Sequence, residues 1–375
     1  MKKVWDKWTR IALVKRILVG LILGAILGIA VPQATGIAIL GDVFVSALKA
    51  IAPLLVFFLV ISSLCNAGKS HGGVIKTVII LYMFSTVLAA VIAVFASMAF
   101  PVKMTLANAA TDTSAPQGIV EVLNNLLLNV VANPVSSLVN ANYVGILMWA
   151  VLLGLAFRAA DKMTKKVLAD VADGISMVVT WIINLAPFGI FGLVFNTVST
   201  NGLDIFTTYG KLLLLLVGCM LFIYFVTNPL LVYWCIRQNP YPLIFQCLKR
   251  SALTAFFTRS SAANIPVNMK VCEEMGLDRD TYSVTIPLGA TINMDGAAIT
   301  ITVMTMATAF TLGIHVDIPT AIILSLLAAL SACGASGVAG GSLLLIPMAC
   351  SLFGISDDIS MQVVAVGFII GVVQD

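Results

Sequence analysis

The chain has 375 residues, 60% of them hydrophobic and only 10% charged, with a formal net charge of +4 at pH 7. Soluble globular domains carry about 25% charged residues. A water-soluble fold is excluded, because it could not cover this much apolar surface with so few charged residues. The mean hydropathy of +1.06 supports the same conclusion. The composition therefore indicates an integral membrane protein.

Apolar runs of membrane-spanning length recur along most of the chain. A helix that crosses the hydrocarbon core needs about 20 mainly apolar residues. We predict spans over 17–31, 44–64, 78–100, 151–157 with the residues upstream of it, 178–194 and 212–226. The first run follows a basic segment and lacks a small-residue cleavage site, which predicts a retained span and not a removed signal peptide.

The lysines and arginines between the spans predict the orientation of the chain. Short loops rich in these residues stay on the cytoplasmic side of a membrane. With the N-terminus in the cytoplasm, the basic loops at 69–76, 158–166 and 237–279 lie inside, whereas the outside receives only Lys103 and Lys211. We therefore predict a multi-pass protein of a bacterial inner membrane with a cytoplasmic N-terminus.

Signatures of catalysis and of transition-metal binding are weak. The seven cysteines lack the paired spacing of a metal site, and their pattern predicts no disulfide framework. The Gly-Ala-Ser-Gly at 334–337 matches the nucleophile segment of rhomboid-type membrane serine proteases, which need a general base. The two histidines, His71 and His315, fall in loops predicted on opposite faces. An enzyme is therefore disfavoured, whereas a channel stays open on composition alone.

Two hydrophobic segments in the last third of the chain are interrupted by small and polar residues. The first, 251–266, has basic residues on both sides and contains Thr-Arg-Ser-Ser at 258–261. The second, 318–352, breaks at 333–342. It ends near Asp357 and Asp358, which the number of predicted spans places on the outer side of the membrane. Paired interrupted segments point to the binding site of a transporter. We predict two re-entrant hairpins that enter from opposite faces, the alternative being Gly-rich kinked spans that pack against other helices.

An acidic residue interrupts the span predicted between these hairpins. The span, 284–309, contains Asn293 and Asp295, and a charge near its middle costs about 2.5 to 3.5 kcal/mol on insertion scales. A carboxylate, an amide oxygen and carbonyls freed by a broken helix form the oxygen cage that a small hard cation prefers. We therefore predict a sodium site at Asp295. A salt bridge with Arg259 and coupling to protons stay open as alternatives, and Asp375 is a further candidate intramembrane charge.

Three motifs, in this order and spacing, resemble the dicarboxylate/amino acid:cation symporter family, which has the glutamate-transporter fold. They are Thr-Arg-Ser-Ser at 258–261, Asn-Met-Asp-Gly at 293–296 and Gly-Val-Ala-Gly at 337–340. The resemblance covers essentially the whole chain and is strongest to the bacterial sodium/serine-threonine symporters of that family, through 256–268 and 332–342. It implies an all-α integral membrane protein with eight transmembrane helices and two re-entrant helical hairpins, a homotrimer, and elevator-type alternating access.

The same resemblance implies a division of the chain into two parts. Residues 1–240 correspond to a scaffold and trimerisation region with spans 1–6, of which span 3 joins the transport core. Residues 241–375 correspond to the transport core, with hairpin 1, span 7, hairpin 2 and the start of span 8. In the family span 8 continues with an asparagine and an aspartate that complete the site, so an active protein is expected to extend beyond Asp375.

Carried over by position, the resemblance implies a set of sodium ligands. Side chains of the third span and of the broken seventh span supply one group, and backbone carbonyls supply the other. The side-chain group is Tyr82, Ser85, Thr86, Asn293 and Asp295, and the carbonyl group is Gly289, Thr291, Cys333 and Ala335.

The resemblance also implies a substrate site between the two hairpins. Its residues are Arg259, Ser260, Ser261, Ala297, Val338, Ser342 and Asp375. Ala297 stands where members that take acidic substrates carry threonine, and Ser342 replaces a family glycine. The expected function is therefore sodium-coupled import of serine or threonine, with the amino acid, sodium and the lipid bilayer as partners and no nucleic acid. The alternative is a sodium- or proton-coupled symporter of acidic amino acids or dicarboxylates.

Overall fold

A computed structural model describes residues 13–66, 73–104, 106, 127–128, 131–202, 204–252, 255, 261–333 and 341–370. Within these ranges every regular element is a helix, which confirms the all-α prediction. The helices of the first half are α1 (Leu13–Ala30), α2 (Ala38–Asn66), α3 (Gly73–Ala99), α4 (Pro134–Val139), α5 (Tyr143–Ala156), α6 (Lys162–Asn184) and α7 (Ala186–Asn201).

The second half contains shorter and more interrupted helices. Its α-helices are α8 (Asp204–Phe222), α9 (Asn228–Ile236), α10 (Tyr241–Cys247), α11 (Ser261–Glu274), α12 (Arg279–Ile292), α13 (Asp295–Thr311), α14 (Ile318–Ala332), α15 (Ile346–Ser351) and α16 (Asp357–Ile370). Two π-helical turns, Ile223–Thr227 and Leu248–Ala252, follow α8 and α10. Such turns interrupt the regular hydrogen-bond ladder and are frequent near functional sites.

Several helices are long and apolar enough to cross a membrane. In the described part of the chain these are Thr35–Asn66, Lys76–Ala99, Lys162–Asn184, Thr207–Ile236 and Thr281–Thr311, with shorter apolar helices at Gly145–Ala159, Ala186–Thr200 and Ile318–Ala332. Many of their exposed side chains are large and apolar, among them Val43, Trp181 and Leu214. An apolar exterior is what a lipid solvent requires, so the multi-span prediction is confirmed, and the number of eight spans stays a prediction.

The single span predicted over 178–194 is wrong. The structure ends α6 at Asn184 and begins α7 at Ala186, with Leu185 between them. Pro187 is the second residue of α7, where its missing N–H is tolerated because the first turn of a helix has unbonded N–H groups anyway. Hydropathy alone does not detect this boundary because both sides of it are apolar.

Helices α1 and α7 pack with their backbones in contact. A Cβ added at Gly20 would lie 2.2 Å from the carbonyl oxygen of Pro187, and one added at Gly24 would lie 2.6 Å from that of Phe191. At Gly28 the distance to the corresponding oxygen of Phe195 is 3.0 Å. Small residues four apart allow membrane helices to approach this closely. The three glycines therefore form the surface that joins α1 to α7.

Helix α13 is buried over most of its length. Every residue from Ala297 to Ala309 is buried, so this helix is covered on all sides. It packs against α3 and α14, and α3 also contacts α12. The buried hydroxyls of Thr300 and Thr308 donate to the carbonyls of Gly296 and Met304 at 2.8 and 2.7 Å, which keeps them satisfied without water. Helix α13 is therefore enclosed by its packing against α3 and α14.

Candidate functional site

The interruption predicted in the span 284–309 is confirmed at two residues. Asn293 (φ −102°, ψ 83°) and Met294 (φ −120°, ψ 57°) leave the helical conformation between α12 and α13. The Asn293 N–H still donates to the carbonyl of Gly289 at 2.9 Å, and the Ala298 N–H donates to that of Met294 at 3.0 Å. The break therefore places the end of α12, the start of α13 and the polar side chains between them at one point.

Four polar side chains from α3 and from the break meet at this point. The Ser85 hydroxyl donates to Oδ2 of Asp295 at 2.7 Å. The Thr86 hydroxyl oxygen lies 3.1 Å from Oδ1 of Asp295 and 3.3 Å from Oδ1 of Asn293, and 3.0 Å from the carbonyl oxygen of Tyr82. A hydroxyl has one proton to donate, so at most one of these three acceptors is satisfied by it. The cluster is therefore rich in oxygen lone pairs and poor in protons, as a cation site is.

The charge on Asp295 needs compensation in this environment. Ser85 is 8% exposed, Thr86 is fully buried, and Asp295 itself is half-buried. Within the described residues the hydrogen-bond partners of the carboxylate are the two neutral hydroxyls. Asp295 is the first residue of α13, where the helix dipole favours a negative charge, but this effect supplies only about 0.3 to 1 kcal/mol. A bound cation would supply the missing charge.

Tyr82 lies against the backbone of α12 one turn before the break. Its hydroxyl donates to the carbonyl of Thr285 at 3.3 Å. A Cβ added at Gly289 would lie 2.9 Å from both Cζ and the hydroxyl oxygen of Tyr82, so only glycine leaves room for the ring in this position. The contact links the α3 residues of the cluster to the end of α12.

We expect Gly289→Ala to lower the apparent sodium affinity about 10-fold, or about 1.4 kcal/mol. The added methyl group pushes the ring of Tyr82 away from α12, and such overpacking costs about 1 to 3 kcal/mol. The sodium dependence of substrate uptake measures the change. Gly174→Ala in α6 is the matched control, because a Cβ added there meets no atom within 4 Å. Unchanged sodium dependence in Gly289→Ala would contradict a role for Tyr82 in the sodium site.

The end of α14 also reaches the break, through the thiol of Cys333, a residue that was predicted to contribute only its carbonyl. The thiol of Cys333 lies 3.5 Å from the carbonyl oxygen of Ile292, the last residue of α12, and 3.9 Å from the sulfur of Met83. The hydroxyl of Thr291 donates to the carbonyl of Leu288 at 2.8 Å within its own helix. The predicted role of Thr291 and Cys333 rests on their carbonyls, whereas the thiol provides the contact between α14 and the break.

The predicted substrate residues are described only in part. Ala297 is buried in the first turn of α13, and Ser261 begins α11 half-buried. Ser342 is 3% exposed, and its hydroxyl oxygen has no hydrogen-bond partner among the described residues. An unpaired buried hydroxyl costs about 1 to 3 kcal/mol, so it is a place where a ligand's polar group is favoured. Arg259, Ser260, Val338 and Asp375 lie outside the described residues, as do the predicted sodium ligand Ala335 and the salt bridge considered between Arg259 and Asp295.

A polar cluster that sequence reasoning missed joins the two sides of the first predicted hairpin. The amide of Asn264 donates to the hydroxyl oxygen of Ser251 at 2.7 Å, and that hydroxyl donates to Oδ1 of Asn268. Ser251 belongs to the π-helical turn before the predicted hairpin tip, whereas Asn264 and Asn268 belong to α11 after it. The two asparagines are part of the segment 256–268 that carries the family resemblance, which is the signal that could have identified them.

Comparison with known proteins identifies the family of the chain. The model of the sodium:dicarboxylate symporter family matches residues 13–374. A protein named serine/threonine transporter SstT from Bifidobacterium adolescentis is 58% identical over 376 residues, covering 100% of this chain and 87% of the relative. A protein of the same name from Streptococcus thermophilus is 55% identical and covers 100% of this chain and 94% of the relative. The chain is therefore a transporter and not an enzyme, as predicted, and it belongs to the sodium:dicarboxylate symporter family.

Proposed function

We propose that this protein is a sodium-coupled symporter that imports small neutral amino acids, serine and threonine, across a bacterial inner membrane. The observation that carries the proposal is the meeting of the side-chain oxygens of Ser85, Thr86, Asn293 and Asp295 at the break between α12 and α13. The names of the relatives, serine/threonine transporters at 55–58% identity over the full chain, support the choice of substrate.

Sodium fits the chemistry of the cluster. It is a small cation that takes hard oxygen ligands, and discontinuous membrane helices hold such ions with freed carbonyls and helix ends. The carboxylate of Asp295 supplies the charge, and Asn293, Thr86 and Ser85 supply neutral oxygens. Tyr82 holds the end of α12 in place beside them. The carbonyls of Gly289, Thr291, Cys333 and Ala335 form the second set of ligands in this proposal.

The substrate binds between the two hairpins in this proposal. Ser261 holds the α-carboxylate, the carbonyls of Arg259 and Val338 with the carboxylate of Asp375 hold the amino group, and Ser260 completes the pocket wall. Ala297 has no hydroxyl that could donate a hydrogen bond to a side-chain carboxylate of the substrate. The unpaired hydroxyl of Ser342 provides a polar partner for a serine or threonine side chain. Both features support a neutral substrate.

The helix contacts support a division of the chain into two functional parts. α1, α2, α5, α6 and α7 pack mainly on one another, whereas α3 packs on α12, α13 and α14. We therefore assign 1–240 to a scaffold that forms a homotrimer, with α3 as the exception, and 241–375 to a transport core. Eight spans, two re-entrant hairpins and elevator-type movement of the core complete the proposal.

Coupling follows from the contact between α14 and the break. The Cys333 thiol lies against the Ile292 carbonyl, so the position of the second hairpin depends on how the end of α12 is held. Without sodium the charge of Asp295 is uncompensated, which disfavours the compact, closed arrangement of the core. A ligand shifts the equilibrium between an open and a closed core only if it binds one of them more tightly. Sodium binds the closed core more tightly in this proposal, because it compensates the charge of Asp295 there.

A second candidate function is symport of acidic amino acids or dicarboxylates, which the description of the matching family favours. Proton coupling is a variant of it, because a buried carboxylate can carry a proton in place of sodium. Ala297 favours a neutral substrate over an acidic one, because it lacks the hydroxyl of a threonine. The coupling ion requires a direct test.

We expect labelled serine and threonine to accumulate in liposomes that hold the full-length protein, and only with an inward sodium gradient. Labelled aspartate should not accumulate, and unlabelled threonine should compete with serine. Replacing the sodium gradient with a potassium or proton gradient should abolish accumulation. Aspartate uptake of comparable size would establish the second candidate, and serine uptake driven equally by protons would reject sodium coupling.

A further inference from the structure

A deep apolar groove runs between α3 and α8, away from the helix break. It has a volume of about 840 Å³ and continues past α3 onto Pro101 and Val102. The residues of α3 that line it recur every three or four positions, as one face of a helix does: Ile92, Phe95, Ala96 and Ala99, with Phe100 directly after the helix. The residues of α8 do the same: Lys211, Leu214, Leu215, Gly218, Cys219 and Phe222. Its volume lies in the range of small-molecule sites.

Among the described residues that line the groove, Lys211 is the one that carries a charge. It is exposed, and no acidic side chain in the described part of the chain lies within 4.0 Å of its ammonium group. It is also the first α8 residue of the lining and lies near the start of the apolar span Thr207–Ile236. The groove therefore has a positive charge at one end of an otherwise apolar surface, close to where the helix meets the membrane boundary.

The length of the lined face corresponds to one leaflet of a bilayer. From Lys211 to Phe222 the helix rises about 16 Å, at 1.5 Å per residue. Half of the roughly 30 Å hydrocarbon core is about 15 Å. Phe100 and Leu214, which line the groove, are largely exposed at 69% and 74%, so in a membrane this surface is in contact with lipid chains.

We propose that this groove binds an anionic phospholipid, whose phosphate pairs with Lys211 and whose acyl chain lies along the apolar faces of α3 and α8. A cation at the end of an apolar groove in a membrane attracts a negatively charged headgroup, which gives the site its preference over zwitterionic lipids. α3 also carries Ser85 and Thr86, and α8 packs against α13. The lipid therefore joins two helices that support the ion site.

Gly218 allows a direct test, because a Cβ added there meets no atom within 4 Å although the residue lines the groove. Gly218→Leu therefore fills the groove without a clash of its own. Gly210 has the same open surroundings on the same helix but does not line the groove, so Gly210→Leu is the matched control. Lys211→Gln removes the charge and leaves the groove open, and Lys166→Gln is its control on α6.

The experiment compares the unfolding midpoint of the full-length protein in uncharged detergent with added phosphatidylglycerol, phosphatidylcholine of the same chains, or glycerol 3-phosphate. We expect phosphatidylglycerol to raise the midpoint about 3 °C more than phosphatidylcholine does. Lys211→Gln should lose this difference, Gly218→Leu should lose the response to both lipids, and the two controls should keep the wild-type response. Native mass spectrometry should find phosphatidylglycerol retained by wild-type protein and lost from Gly218→Leu.

Three outcomes would overturn the proposal. Equal stabilisation by the two lipids would mean that the groove does not recognise charge. A full shift with glycerol 3-phosphate alone would indicate a phosphate site without an acyl chain. A lower midpoint of Gly218→Leu in the absence of lipid, with Gly210→Leu unchanged, would mean that protein fills the groove. None of these readouts depends on the transport substrate.

Discussion

Replacing Asp295 with asparagine is expected to weaken the apparent sodium affinity of uptake by about 100-fold or more. The amide keeps the size of the carboxylate and one acceptor oxygen but removes the negative charge. Hydrogen bonds and ion contacts of charged groups contribute about 1.5 to 3 kcal/mol each, so the loss corresponds to about two decades in affinity. Serine uptake measured over a range of sodium concentrations reports the shift.

Graded variants separate the charge from the neutral ligands. Thr86→Val keeps the shape of the side chain and removes its oxygen, so we expect a smaller loss, about 10-fold. Asp317→Asn is the control for the Asp→Asn change, because Asp317 caps α14 and asparagine caps a helix equally well. Wild-type sodium dependence in Asp295→Asn would contradict the assignment of the cation site.

A leucine at Gly24 is expected to prevent the protein from folding stably. The Cβ would lie 2.6 Å from the carbonyl oxygen of Phe191, and that oxygen belongs to the α7 backbone and cannot rotate away. Separating α1 from α7 removes contacts along the whole pair of helices. We expect a loss of more than about 3 kcal/mol, above the usual range for overpacking, because the clash is with the backbone.

The yield of monodisperse protein on size-exclusion chromatography and the unfolding midpoint measure this loss. Gly174→Leu on α6 is the control, because a Cβ there meets no atom within 4 Å and the same enlargement should be tolerated. A Gly24→Leu protein whose midpoint stays within about 2 °C of wild type would mean that α1 and α7 do not pack backbone to backbone.

The helix break was predictable from the sequence because Asn293 and Asp295 are costly within an apolar span. The boundary between α6 and α7 was not, since Pro187 at a helix start leaves the hydropathy unchanged. The close approach at Gly24 requires the partner helix to be known, although glycines at 20, 24 and 28 are a pattern that favours helix contact. The first miss is local, whereas the second depends on which helices become neighbours.

The candidate site was also predictable only in part. Asn293 and Asp295 were predicted from the cost of polar groups within an apolar span, Ser85 and Thr86 were assigned by resemblance, and the structure brings the four side-chain oxygens together. The thiol contact of Cys333 was missed because a thiol is a weak donor that no sodium-binding pattern includes.

The most direct test of sodium coupling is a calorimetric titration of the full-length protein with L-serine, in sodium chloride and in potassium chloride of equal ionic strength. Coupling between two binding sites is reciprocal, so sodium bound at Asp295 must change the affinity for serine. We predict that serine binds at least about 10-fold more tightly in sodium, and that Asp295→Asn removes this difference. Equal serine affinity in the two salts would contradict sodium-coupled symport by this protein.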